Sequence, residues 1–135
     1  MTSILIIDDS KPMLSMLEED LKAYSAFDVK TSFSPRLGVE MAIHGDFDVI
    51  LCDYKMPELN GTEVFEVVRG VIPDQKFIFL TAYPSAVTSY SEEIPLVAKP
   101  FKVAALVVEI ERVIQMTHIP YQHRAGTEKG INALP

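Results

Sequence analysis

Residues 49–61 read VILCDYKMPELNG: an apolar run, then a single carboxylate, then a loop holding Pro57 and Gly61. The run Val49–Cys52 is continuous rather than alternating. An amphipathic strand on a half-exposed sheet alternates, whereas a strand covered on both faces does not. The stretch therefore predicts a strand inside a parallel sheet, with Asp53 where that strand meets water.

Working outward, the runs Ile4–Ile7, Phe77–Leu80 and Leu96–Ala98 have the same continuous character. Phe27–Phe33 alternates and is more polar, so it reads as a strand nearer an edge. Helical patterns lie between the strands. Leu14, Leu17, Leu21 and Tyr24 share one face of a helix over Pro12–Tyr24, with Ser10 placed to cap it and Pro12 in its first turn. Pro35–His44 reads as a second helix closed by Gly45 at a C′ position, and Thr62–Val68 as a third ending near Gly70. In Lys102–Met116, Val103, Leu106, Val107, Ile110, Val113 and Ile114 form an apolar stripe, with Glu109, Glu111 and Arg112 largely opposite. Strand and helix thus alternate about five times. Parallel strands need crossover helices, so the pattern predicts a doubly wound α/β fold with helices on both faces. Residues 1–116 form that domain. Thr117–Pro135 loses the periodicity and reads as a tail or the start of a linker.

Length and composition agree with one domain. The chain has 135 residues, 48% of them hydrophobic, enough for a single core. Its one cysteine, Cys52, leaves no internal disulfide or cysteine-based zinc site and fits a reducing compartment. A net charge of −7 opposes direct binding to nucleic acid. The opening MTSILIIDD is too short and too acidic for a signal peptide, and no run reaches the length of a membrane span. The expectation is a cytoplasmic protein with no membrane partner.

Ligands of open parallel sheets bind beyond the carboxyl ends of the strands. There the sequence places Asp8 and Asp9 after the first strand, Asp53 after the third, Thr81 and Ala82 after the fourth, and Lys99 and Pro100 after the fifth. Three carboxylates face one ammonium, and crowded carboxylates repel unless a cation intervenes. A hard divalent ion answers that need; Mg2+ suits oxygen ligands and phosphate, and Mn2+ and Ca2+ fit the same donors. The set also suits phosphoryl transfer. A carboxylate can act as nucleophile and become an aspartyl phosphate, while metal, lysine and hydroxyl stabilise the transferring oxygens.

These residues resemble the response-regulator receiver domain of two-component signalling, of the CheY-like superfamily. The matching motifs are Asp8–Asp9, DYKMPELNG at 53–61, LTA at 80–82 and KPF at 99–101, and the likeness spans roughly residues 3–116. It implies a flavodoxin-like five-stranded sheet in the order 2-1-3-4-5. It implies Asp53 as phosphoacceptor, Asp9 as a direct Mg2+ ligand, Asp8 as a ligand mainly through water, and the Lys55 carbonyl completing the protein ligands. Thr81 would bond the phosphoryl group and move towards it, the Ala82 amide would donate to it, and Lys99 would pair with its oxygens. A cis bond would precede Pro100, and Met56, Pro57 and Gly61 would shape the loop. The implied function is a phosphorylation-dependent switch that assists its own phosphorylation and dephosphorylation rather than an enzyme on a separate substrate. Its partners would be a histidine kinase or histidine phosphotransfer protein and a downstream protein or effector domain, with a homodimer compatible.

Two departures stand out. Thr81 and Lys99 are only 18 positions apart, shorter than usual for the family, and the intervening YPSAVTSYSEEIP makes a poor helix. The fourth helix should be short, displaced or irregular. Leu96 stands where receivers usually carry an aromatic, which puts the family's aromatic switch in question and leaves Tyr83 as another aromatic nearby. Lys55 is a long cation two residues after the acceptor, able to contact the phosphoryl group or block water.

Each residue also has a plainer reading. Asp8 and Asp9 can cap the first helix, Thr81 can be an ordinary strand end, and Lys99 a solvated lysine. Cys52 packs as a small buried hydrophobe. His44, His118 and His123 have no metal-ligand spacing, and Met13, Met16, Met41 and Met116 read as packing residues. Three other functions compete with the switch. A phosphatase of the haloacid dehalogenase type would need D-x-D-x-T where this chain has DDSKP. A nucleotide or flavin binder would need a Gly- or hydroxyl-rich phosphate loop after the first strand. A receiver acting mainly as a protein-binding module, independent of phosphorylation, is the remaining alternative.

Overall fold

The computed structural model describes residues 1–116; the tail reading for 117–135, with His118 and His123, lies outside them. Strands and helices alternate: β1 Thr2–Ile7, α1 Lys11–Lys22, β2 Phe27–Ser32, α2 Pro35–His44, β3 Val49–Asp53, α3 Gly61–Val71, β4 Phe77–Thr81, α4 Pro84–Tyr90, β5 Leu96–Ala98 and α5 Val103–Ile114. The five strands form one sheet in the order β2-β1-β3-β4-β5, and every pairing is parallel.

The continuous apolar runs now have a cause. Alternate residues of a strand point to opposite faces, and both faces here are covered. Ile4, Ile6, Val49, Leu51, Ile78 and Leu80 pack with α1 and α5. Leu5, Ile7, Ile50, Cys52, Phe77 and Phe79 pack on the other face with Val64, Phe65 and Val68 of α3 and Val87 of α4. The edge strand β2 exposes Asp28 and Lys30, as its alternation predicts.

Several local expectations shift. Helix α1 ends at Lys22, so Tyr24 lies beyond its C-cap, Ala23, and its ring sits 5.7 Å from that of Phe27. Phe33 falls outside β2 and is 53% exposed. Met13, Met41 and Met116 pack against the core, but Met16 stands 43% exposed on α1. Gly45 is the C-cap of α2 with extended backbone (φ −98°), not a left-handed C′ residue. Space is what requires glycine there, because a Cβ would lie 2.6 Å from the Phe47 ring and 2.7 Å from the Met41 carbonyl. Helix α3 ends at Val71, next to Gly70 as expected, and closes with the Ile72 amide donating to Val68 O at 2.7 Å. Helix α4 is short, at seven residues, and its N-cap Tyr83 makes no side-chain capping bond. Among the described residues, no helix is long and apolar enough to cross a membrane.

Candidate functional site

The sheet order makes β1, β3, β4 and β5 consecutive neighbours, and the register brings their carboxyl ends level. Ile7 pairs with Cys52, Asp53 with Leu80, and Thr81 with Ala98. Asp53 and Thr81, the last residues of β3 and β4, and Asp8 and Lys99, which follow β1 and β5, then reach one shared edge. Asp8, Asp9 and Asp53 each offer an oxygen to a group lying within 4.8 Å of one another. The Lys99 ammonium lies between two of them, 3.1 Å from Asp8 Oδ2 and 3.4 Å from Asp53 Oδ1.

The surroundings fix these side chains. Asp8 is 1% exposed, and its Oδ1 accepts from the Ser10 amide at 2.9 Å while Oδ2 accepts from Lys99. Capping of α1 falls to Ser10, whose hydroxyl accepts from the Met13 amide at 3.3 Å. Asp8 is thus left facing the cluster. Asp53 Oδ1 accepts from the Tyr54 amide at 2.9 Å. The loop behind it is tied down by the Gly61 amide donating to Tyr54 O at 2.6 Å and by the buried Met56. Glu58 adopts a left-handed φ of 73° in this loop, and Asn60 and Glu63 cap each other's backbone to start α3. The peptide before Pro100 is cis.

Electrostatics follow from this crowding. Burial, then the charge of Asp8, pushes the Asp53 pKa up to about 6, against the opposing pull of Lys99 and the Tyr54 amide. Burial works to lower the Lys99 pKa, but Asp8 and Asp53 outweigh it and the net direction is upward. Cys52 is driven well above its usual range by burial, then by Asp53 and Asp8, so it behaves as an inert core thiol. A cation held by the three carboxylates would relieve the strain on Asp53. The donors are all hard oxygens, which suits a divalent ion of the Mg2+ and Ca2+ type better than a soft metal. The cluster is positioned to coordinate such a metal.

Thr81 is fully buried, and its Oγ1 accepts from the Tyr83 amide at 2.8 Å. Ala82 is exposed beside it. The exposed Lys55 extends its ammonium over the Tyr83 ring, 5.1 Å from the centroid. The amides of Ser10 and Tyr54 are partners that sequence reasoning missed, since backbone donors carry no residue signature. The Lys55–Tyr83 meeting requires the β3–β4 register to be known.

Residues 4–111 match the family described as response regulator receiver domain. Among curated proteins, the chain is 28% identical over 135 residues to the response regulator SaeR of Staphylococcus aureus, covering 96% of this chain and 57% of SaeR. It is 26% identical over 120 residues to the transcriptional regulatory protein ZraR of Escherichia coli O157:H7, covering 86% of this chain and 27% of ZraR. The chain therefore spans between about a quarter and just over half of these relatives. Among solved structures, a response regulator receiver domain protein from Clostridium thermocellum superposes with a TM-score of 0.76 at 25% identity, covering 84% of this chain and 94% of that one. The response regulator protein TrrA from Thermotoga maritima, in complex with Mg2+–BeF, gives 0.74 at 27% identity, covering 84% and 99%.

Proposed function

Because the chain belongs to the response-regulator receiver-domain family, we propose that residues 1–116 work as a signalling switch that takes a phosphoryl group on Asp53. The observation that carries this reading is the Lys99 ammonium set between Asp8 and Asp53, at 3.1 and 3.4 Å, beside a third carboxylate. Asp8, Asp9 and Asp53 would hold Mg2+, with the Lys55 carbonyl as a further ligand. When bound, the metal neutralises carboxylate charge and the charge of the transferring phosphoryl oxygens.

An Asp53 carboxylate oxygen attacks phosphorus in line with the leaving atom. The bond to the donor, a histidine nitrogen of a kinase or phosphotransfer protein, breaks and its electron pair stays on the imidazole. Lys99 keeps its proton throughout and pairs with a phosphoryl oxygen. Thr81 donates a hydrogen bond from its hydroxyl to a second oxygen, keeping its proton, and the Ala82 amide donates one to a third. Only ionised Asp53 is nucleophilic, so a pKa near 6 leaves enough carboxylate at neutral pH. The downstream partner is a protein or an attached effector domain.

The test is phosphorylation by a small-molecule phosphodonor. Wild type should gain one phosphoryl group, and Asp53→Asn should gain none. Uptake by Asp53→Asn at the wild-type rate would refute the assignment. The short α4 and Leu96 favour a second reading, a binding module indifferent to phosphorylation. Equal partner affinity before and after phosphorylation would select it.

A further inference from the structure

Resting on that phosphoacceptor reading, we propose that Tyr83 reads the state of Asp53, because both groups that hold it are ones a phosphoryl group would recruit. The loop after β3 carries Lys55 two residues beyond Asp53, and the loop after β4 carries Tyr83 two residues beyond Thr81. Adjacent strands bring these loops face to face across the acceptor. Tyr83 is held twice. Its amide donates to Thr81 Oγ1 at 2.8 Å, and its ring lies 5.1 Å from the Lys55 ammonium.

Charge decides which way these contacts move. An aspartyl phosphate carries about two negative charges, and Asp8 and Asp9 add one each. A divalent metal and Lys99 return three positive charges. One negative charge is left, and Lys55 is the cation on the loop that carries Asp53. A phosphoryl oxygen binds an ammonium more strongly than an exposed ring does. Lys55 therefore leaves Tyr83 for the phosphoryl group. Thr81, turning its hydroxyl towards Asp53, gives up or drags the Tyr83 amide. Tyr83 is the N-cap of α4, which has no side-chain capping bond to anchor it, so the first turn of α4 moves with it. The aromatic that responds then sits at the start of α4, where β5 supplies only Leu96.

The test is NMR on the full chain, isotope-labelled, with and without Mg2+ and beryllofluoride as the phosphoryl surrogate. The Tyr54 amide, bonded to Asp53 Oδ1, reports occupancy of the acceptor. The Tyr83 amide should move along the same saturation curve. The Lys55 ε-methylene protons, shifted upfield by the ring, should return to ordinary positions. Tyr83→Leu should abolish that upfield shift in the free protein. Lys55→Gln should weaken beryllofluoride binding several-fold, and Lys55→Arg should restore it. A Tyr54 amide that saturates while Tyr83 and Lys55 stay still would overturn this inference and leave the phosphoacceptor reading standing. No response from either amide would overturn both.

Discussion

Asp53 is more easily protonated in the fold than in the unfolded chain, with a pKa raised from 3.8 to about 6 by burial and by Asp8. Below the unfolded value both states are protonated and the group is neutral to stability changes. As pH rises through the window up to about 6, the unfolded chain ionises first and the fold loses stability; the loss is complete above that. In chelator-treated buffer, Asp53→Asn should therefore be more stable than wild type at pH 7 by about 1–2 kcal/mol, a value discounted for partial solvation. The two proteins should converge as pH falls to about 4, and denaturant melts across that range check it. The groups at this edge are legible in sequence because each follows an apolar run that must end there. Their partners are less so. Nothing in the letters marks the Tyr54 amide as a donor to Asp53 or the Ser10 amide as a donor to Asp8.

Element boundaries depend on caps and on close approach. Asn60 and Glu63 form a reciprocal capping box at the start of α3, a signal present in the sequence as Asn and Glu three apart. Asn60→Ala should cost about 1 kcal/mol in chemical denaturation. Gly61 matters for a different reason. A Cβ there would stand 2.5 Å from the Asp53 carbonyl and 2.9 Å from Tyr54 Cα, both backbone atoms that cannot swing aside. Gly61→Ala should destabilise by about 2–3 kcal/mol and slow phosphoryl uptake, because the same clash displaces the acceptor. Gly45 and Gly70 mark where α2 and α3 end, to within a residue, but neither does so through a left-handed turn: Gly45 caps α2 with extended backbone and is small to admit Phe47, and α3 runs one residue past Gly70. The short α4 was legible because its segment is too brief and too rich in Ser, Thr and Pro to support a longer helix.

At the scale of the whole molecule, the βα alternation dictates a parallel sheet, and the sheet order dictates that four strand ends meet at one edge. Fold and site are therefore legible together, whereas the output depends on surfaces and partners that periodicity does not encode. A divalent ion held by the acidic edge would couple to stability. A ligand that binds only the folded state stabilises by mass action, about 2.7 kcal/mol at a hundred times its dissociation constant. Saturating Mg2+ should raise the melting temperature of wild type, and Asp9→Asn should lose most of that rise in a thermal scan. The measurement that bears most directly on the central claim is intact mass after incubation with acetyl phosphate, with and without Mg2+, on wild type and Asp53→Asn. Wild type should gain a single phosphoryl adduct that requires both Mg2+ and Asp53. An adduct that forms equally on Asp53→Asn, or none on wild type with Mg2+ present, would contradict that claim.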